Sequence, residues 1–319
     1  MNRNHRLTIG LPVYNGANFL AESLESLLGQ TYDDLEIVIS DNASTDGTAD
    51  ICQEYANKDS RIRYIRQPYN IGMIRNHQFV MRQATGELFK LASHDDLYAR
   101  DLLKKCIEAL DAHPEVVVAH CWEARIDARG SIIEAMAYPV AADLPRVSER
   151  LRSMLFDGWD DYTYGVMRTD VLLRTHLVGS YHMADRCMNV ELSLYGPFYL
   201  VPEWLYFRRE HADLLTPLSV RERCVRLDHR RANRFLHPVV RLYAEYLWSY
   251  IAAIHRAPLS PMERRECYQV FASWLVGRAR PVVGRSIRRE GIPDVFSSLD
   301  EVPRIPIDTL VAGRESRKP

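Results

Sequence analysis

From Leu7 to His120 apolar runs of strand length alternate with stretches of helical periodicity, and the links between them are short. That alternation leaves few options other than a mostly parallel α/β sheet with helices on both faces. Leu7–Val13, Leu35–Ile39 and Leu88–Ala92 read as buried strands, and Arg61–Ile65 alternates like a strand. Phe19, Leu20, Leu24, Leu27 and Leu28 recur at helical spacing, with Asn18 available as N-cap. Residues 72–83 and 101–112 are predicted helical, and 116–120 a strand. Three of the strands run into polar ends at Tyr14, Asp41 and Asp95. In a parallel sheet these fall on one edge, where open α/β sheets bind ligands.

The most informative stretch is Gly86-Glu-Leu-Phe-Lys-Leu-Ala-Ser-His-Asp95-Asp96. An apolar strand stops on adjacent carboxylates, hard oxygen donors suited to Mg²⁺ or Mn²⁺ held together with a substrate's phosphates. A competing reading makes Asp96 the N-cap of a helix beginning near Tyr98.

After Trp122 the texture changes. A hairpin is expected about Ala128-Arg129-Gly130, a short helix over 148–156, a strand over 162–167 and a helix over 183–195. Phe198–Val201 and Trp204–Phe207 read as strands, and from Ser219 the pattern is helical. The expected division is 1–215 and a helical region 216–319, whose last thirty or so residues would form a flexible tail.

The formal charge of −1 gives no reason to expect nucleic acid as a partner. Between Ser219 and Glu290, however, fifteen Arg face six Asp or Glu. This basic region admits two readings, a solvated face with a homo-oligomer seam or a peripheral contact with anionic lipid. Six scattered cysteines without a Cys-x-x-Cys suit reduced thiols. No signal-peptide core follows Met1, and no window reaches the ~18 apolar residues of a membrane span. A cytoplasmic protein is expected, with at most peripheral contact at the inner face of the membrane.

Several residues invite chemistry. Asp41 is either a turn residue or an acceptor for a uracil-like imide or a ribose hydroxyl. Arg75 is either a solvated helical Arg or a clamp on phosphate oxygens. Asp185 is either a helix-start acid or a general base, whereas Glu191 would face away from it. His211 is structural or completes a metal shell with Asp95. Neither Gly-x-Gly-x-x-Gly nor a Walker loop follows the first strand, so a metal-bridged diphosphate suits the site better than those cradles.

Taken together, Leu11-Pro-Val-Tyr-Asn15, Ser40-Asp-Asn-Ala-Ser-Thr-Asp-Gly-Thr48, Asn70-Ile-Gly72 through Arg75-Asn76, Ala84-Thr-Gly-Glu87 and Ser93-His-Asp-Asp96 resemble family 2 glycosyltransferases. The resemblance covers about residues 7–125 firmly and 160–212 loosely. It implies the GT-A fold and an inverting, hexosyltransferase-type enzyme of polysaccharide or glycoconjugate synthesis. It also implies a nucleotide-diphosphate sugar donor, expected to be UDP-linked, a hydroxyl-bearing acceptor (glycan, lipid-linked saccharide or small molecule) and Mn²⁺ or Mg²⁺ as cofactor.

By the resemblance Pro12, Tyr14 and Asp41 would line the nucleobase pocket, and Asn70 and Arg75 would help hold the nucleotide. Asp95, with Asp96 beside it, would coordinate the ion, and Asp185 would be the catalytic base. Arg209 and His211 would reach the diphosphate or the metal. The family often carries acids where this chain has Ser93 and Ala184. Two alternatives stand beside this reading, a non-catalytic nucleotide-sugar-binding subunit and a nucleotidyltransferase on a related sheet.

Overall fold

The computed structural model describes residues 5–137, 142–156, 162–210 and 218–279. Strands β1 (Leu7–Val13), β2 (Leu35–Asp41), β3 (Ile62–Arg66) and β4 (Leu88–Leu91) form a parallel core in the order β3-β2-β1-β4. Helices α1 (Leu20–Leu28), α2 (Thr48–Lys58) and α3 (Met73–Arg82) supply the crossovers. Because β2 and β3 lie on one side of β1 and β4 on the other, the chain reverses its winding between β1 and β4. A crevice opens at such a switch point, beyond the strand ends.

Past β4 the sheet becomes mixed. It continues through β8 (Val166–Arg168), β6 (Val118–Ile126), β9 (Phe198–Arg209) and the two-residue β5 (Leu97–Tyr98), with β7 (Ile132–Met136) paired to β6. The predicted hairpin is present, β6 turning into β7 through Asp127–Gly130.

Side chains alternate across the sheet and divide the core into two. Leu7, Ile9, Leu11 and Leu88 pack with α1 and α4 (Leu102–Ala112) on one face. Phe89 and Leu91 pack with α3, α5 (Val147–Phe156), α7 (Ala184–Ser193) and the long helices α9 (Val239–Arg256) and α10 (Pro261–Ala279) on the other. Tyr246, Tyr250 and Trp274 thus share a core with the sheet's own helices.

Four local expectations are corrected. Asn18 does not cap α1: Phe19 occupies the N-cap position without a side-chain bond, and the Leu20 N–H reaches Gly16 O at 3.0 Å. The turn that ends β1 therefore winds directly into the helix. No helix starts near Tyr98, which lies in β5, and α4 begins only after Asp101. Residues 162–167 are not one strand, since Tyr162–Tyr164 is a 3-10 turn ahead of β8. Conversely, the two strand-like runs around Pro202 are one strand. Beside Pro202 only β6 is paired, because β5 reaches only Tyr206 and Phe207, and the β6 register slips there. A proline is tolerated where the ladder asks for no N–H. The expected flexible tail lies outside the described residues.

Candidate functional site

The β1–β2 register sets Pro12 opposite Ser40 and Val13 opposite Asp41, so the loops after both strands leave the sheet side by side. They are tied together. Asn15, held at φ 51°, donates its N–H to Ser44 Oγ at 2.9 Å and accepts from Thr45 N at 2.9 Å. Gly16 N–H donates to Thr48 Oγ1 at 2.9 Å. Pro12 is buried beneath the half-exposed Tyr14.

Asp41 is fully buried. One oxygen accepts Ser44 N–H at 2.8 Å and the other the Tyr64 hydroxyl at 3.0 Å, with Arg66 at 3.8 Å. Asn70 is exposed, and its Oδ1 accepts from Asn42 Nδ2 at 3.0 Å, which brings it to the same rim. Gly72, at φ 92°, turns the chain into α3, a conformation side chains disfavour. Arg75 is exposed on that helix, and its charge lowers the carboxyl pKa of Asp228 after the larger effect of Arg230.

On the other side of the crevice stands the Ser93–Asp96 turn. Gly16 joins the two sides: a Cβ there would lie 2.3 Å from His94 Cδ2, so only glycine admits this approach. Asp95 is 7 % exposed, and one of its oxygens accepts the Ser93 hydroxyl. Asp96 points the opposite way. Its oxygens accept the Tyr206 hydroxyl and the Arg209 N–H, the latter at 2.9 Å, both from β9. Burial, followed by the charge of Asp95, pushes the Asp96 carboxyl up to about 7 against these two donors.

Arg209 is fully buried, and its guanidinium is spent on protein acceptors. Nε donates to Asp95 O at 2.8 Å, Nη1 to Ala128 O at 2.9 Å and Nη2 to Glu22 at 2.7 Å, with the ring of Phe19 4.6 Å away. Asp96, expected beside the ion and the nucleotide-sugar, and Arg209, expected at the diphosphate or the metal, are here bonded to the turn and to β9 and hold the turn. Lys90, also fully buried, donates to Tyr164 O and lies 5.0 Å from the ring centre of Tyr98. Burial pushes its ammonium pKa down.

Asp185 is exposed in the first turn of α7, directly after Met183 in a left-handed conformation (φ 54°). A carboxylate here is favoured by the helix dipole and open to an acceptor. Glu191 is buried and paired with Arg256 and the His176 N–H, which makes it structural. His211 lies outside the described residues.

Among the described residues no three His, Cys, Asp or Glu gather into a metal cage. The donor set instead suits an ion that takes one protein carboxylate, Asp95, and completes its shell with nucleotide phosphates and water, as Mg²⁺ commonly does.

Sequence reasoning missed Glu22, Lys90 and Tyr206. Lys90 did leave a signal, as the one charge inside the apolar run Leu88–Leu91. The other two are met only through contacts 187 and 110 residues apart in sequence.

The profile of "Glycosyl transferase family 2" matches residues 8–177, more than half of the chain. Among curated relatives, glycosyltransferase GlyA of Streptococcus pneumoniae is 35% identical over 107 residues, covering 32% of this chain and 15% of that protein. GlyG of the same organism is 29% identical over 98 residues, 31% of this chain and 33% of that one. The chain thus spans well under half the length of these relatives. Among solved structures, TarS 1–349 of S. aureus superposes with a TM-score of 0.50 at 18% identity, covering 85% of this chain and 92% of that one. That likeness concerns the fold.

Proposed function

Since the chain belongs to glycosyl transferase family 2, we propose that it moves a sugar from a nucleotide-diphosphate donor, a UDP-sugar, to a hydroxyl acceptor with inversion at the anomeric carbon. The observation that carries this reading is the acidic turn at the β1/β4 switch point, where Asp95 is braced from behind by Asp96, Tyr206 and Arg209. TarS, which shares the fold, has been crystallised with UDP and with UDP-GlcNAc.

In this reading Pro12 and Tyr14 flank the base. Ser44 and Tyr64 fix the Asp41 carboxylate at the head of the loop that would receive the base or the ribose. Asn70 holds the ribose side and Arg75 the phosphates. Asp95, with His211, would hold Mn²⁺ or Mg²⁺, which when bound offsets charge on the departing diphosphate. Asp96 and Arg209 fix the position of Asp95 and do not touch the nucleotide. Asp185 takes the proton of the acceptor hydroxyl as that oxygen attacks.

The test is UDP release from a panel of UDP-sugars by the wild-type chain and by Asp185→Asn. Losing a positioned base should cost ~10²–10⁴-fold in rate while UDP affinity is retained. Unchanged turnover in Asp185→Asn would remove Asp185 from the mechanism, and no turnover with any UDP-sugar would refute the donor class.

A further inference from the structure

A short 3-10 helix, His229–Ala232, leads through Asn233–Pro238 into α9, and this turn points large apolar side chains into solvent. Phe235 is 97% exposed and Leu236 60%. The turn itself is well braced. Asn233 Oδ1 accepts the N–H groups of Phe235 at 3.0 Å and Leu236 at 3.1 Å. Arg241 donates to Leu236 O at 2.7 Å, and Arg221 to His237 O at 2.8 Å. These bonds brace the backbone of the turn that displays both side chains.

Apolar side chains are also exposed on α9. Val240 is 79% and Trp248 65% exposed, and with Ala244 between them they follow i, i+4 spacing on a single stripe about 12 Å long. Leu242, Tyr246 and Tyr250, on the opposite side, are buried in the core. Exposed large apolar side chains on one turn and one helix stripe are the kind of surface that marks an interaction site.

Its surroundings are basic. From Ser219 to Glu245 there are seven Arg and three acids. Each acid is already engaged, Asp228 by Arg230, Glu245 by Arg231 and Arg241, and Glu222 by the cap of α8 (Val220–Leu227). Arg226 and Arg234 are exposed along a groove that also includes Leu218, Val225 and Ala232.

We infer that this face docks on an anionic lipid bilayer, with Phe235 and Leu236 entering the interface and Arg226 and Arg234 meeting the headgroups. The pairing of a braced apolar wedge with a net positive stretch of chain is what such a surface recognises. A second copy of the chain fits poorly, since a two-fold interface would set the arginine cluster against itself. The chain's own residues 280–319 carry eight basic and six acidic residues and offer no complementary charge either. The inference stands independently of the sugar-transfer reading.

The test is flotation of the full chain with vesicles of phosphatidylcholine alone or with about one-third phosphatidylglycerol. The variants are Phe235→Ser with Leu236→Ser and Arg226→Glu with Arg234→Glu, all at exposed positions, with melting curves to verify folding. Binding is expected only to the anionic vesicles, weakened by salt, and lowered roughly tenfold or more by either pair. Three results would overturn it: no binding of the wild-type chain to anionic vesicles, undiminished binding by the serine pair, or a wild-type oligomer in light scattering that the serine pair dissociates.

Discussion

Asp96→Asn separates the electrostatic cost of the acidic turn from its hydrogen bonds. In the folded chain the Asp96 carboxyl is raised from 3.8 to about 7, first by burial and then by Asp95. A raised folded pKa means that the group's contribution to stability is fully present below about 3.8 and is lost as pH rises through about 7. At ~1.36 kcal/mol per unit, the loss approaches about 4 kcal/mol above pH 7. Asparagine carries no charge, and its carbonyl still accepts the Arg209 N–H. What it loses is the carboxyl acceptor of the Tyr206 hydroxyl, a cost of about 1 kcal/mol. Urea titrations in EDTA should therefore show the variant gaining on wild type by about 2.7 kcal/mol between pH 5 and pH 8, with a net advantage of about 3 kcal/mol at the upper end. A stability difference that stays constant across that range would refute the reasoning, because an unraised Asp96 would already be ionised at pH 5.

Two further substitutions probe the same scaffold. Arg209→Met leaves the buried carbonyl of Asp95 without its donor, while the exposed Ala128 and Glu22 turn to water. It should cost about 3 kcal/mol in chemical denaturation and weaken UDP binding. Lys90→Met removes an ammonium whose pKa burial lowers from 10.5, so the unfolded wild-type chain binds the extra proton across the alkaline window below that value. Wild-type stability therefore gains from this group as pH rises there, and the methionine variant should lose that gain and be at least as stable at pH 7. Calorimetric melts from pH 7 to pH 10 would show parallel curves if the lysine were solvated.

The central strands were legible because β1, β2 and β4 are covered on both faces and read as largely apolar runs, despite Glu36 in β2 and Lys90 in β4. The ligand-binding edge followed from where those runs end, whereas the switch point needed the strand order. The second half of the sheet was harder. Pro202 split β9 in the sequence, although the missing N–H falls where that strand has one neighbour. In the site, the loops at the sheet edge were identifiable from local motifs. The residues behind them were not, since a charged side chain at a strand's end, such as Arg209, gives no sign of whether it turns outward or in. Its burial rests on Glu22, Phe19 and Ala128, each brought in by a different part of the chain. The surroundings of Asp96 were hidden for the same reason, because adjacent carboxylates look alike until β9 offers donors to one of them.

The account turns on Asp95 gripping a divalent ion together with the donor's diphosphate. Calorimetric titration of UDP into the wild-type chain and into Asp95→Ala, each with Mn²⁺ and with EDTA, measures this directly. Wild type should bind UDP at least roughly tenfold tighter with Mn²⁺, and Asp95→Ala should bind equally weakly in both buffers. A full Mn²⁺ enhancement retained in Asp95→Ala would contradict it.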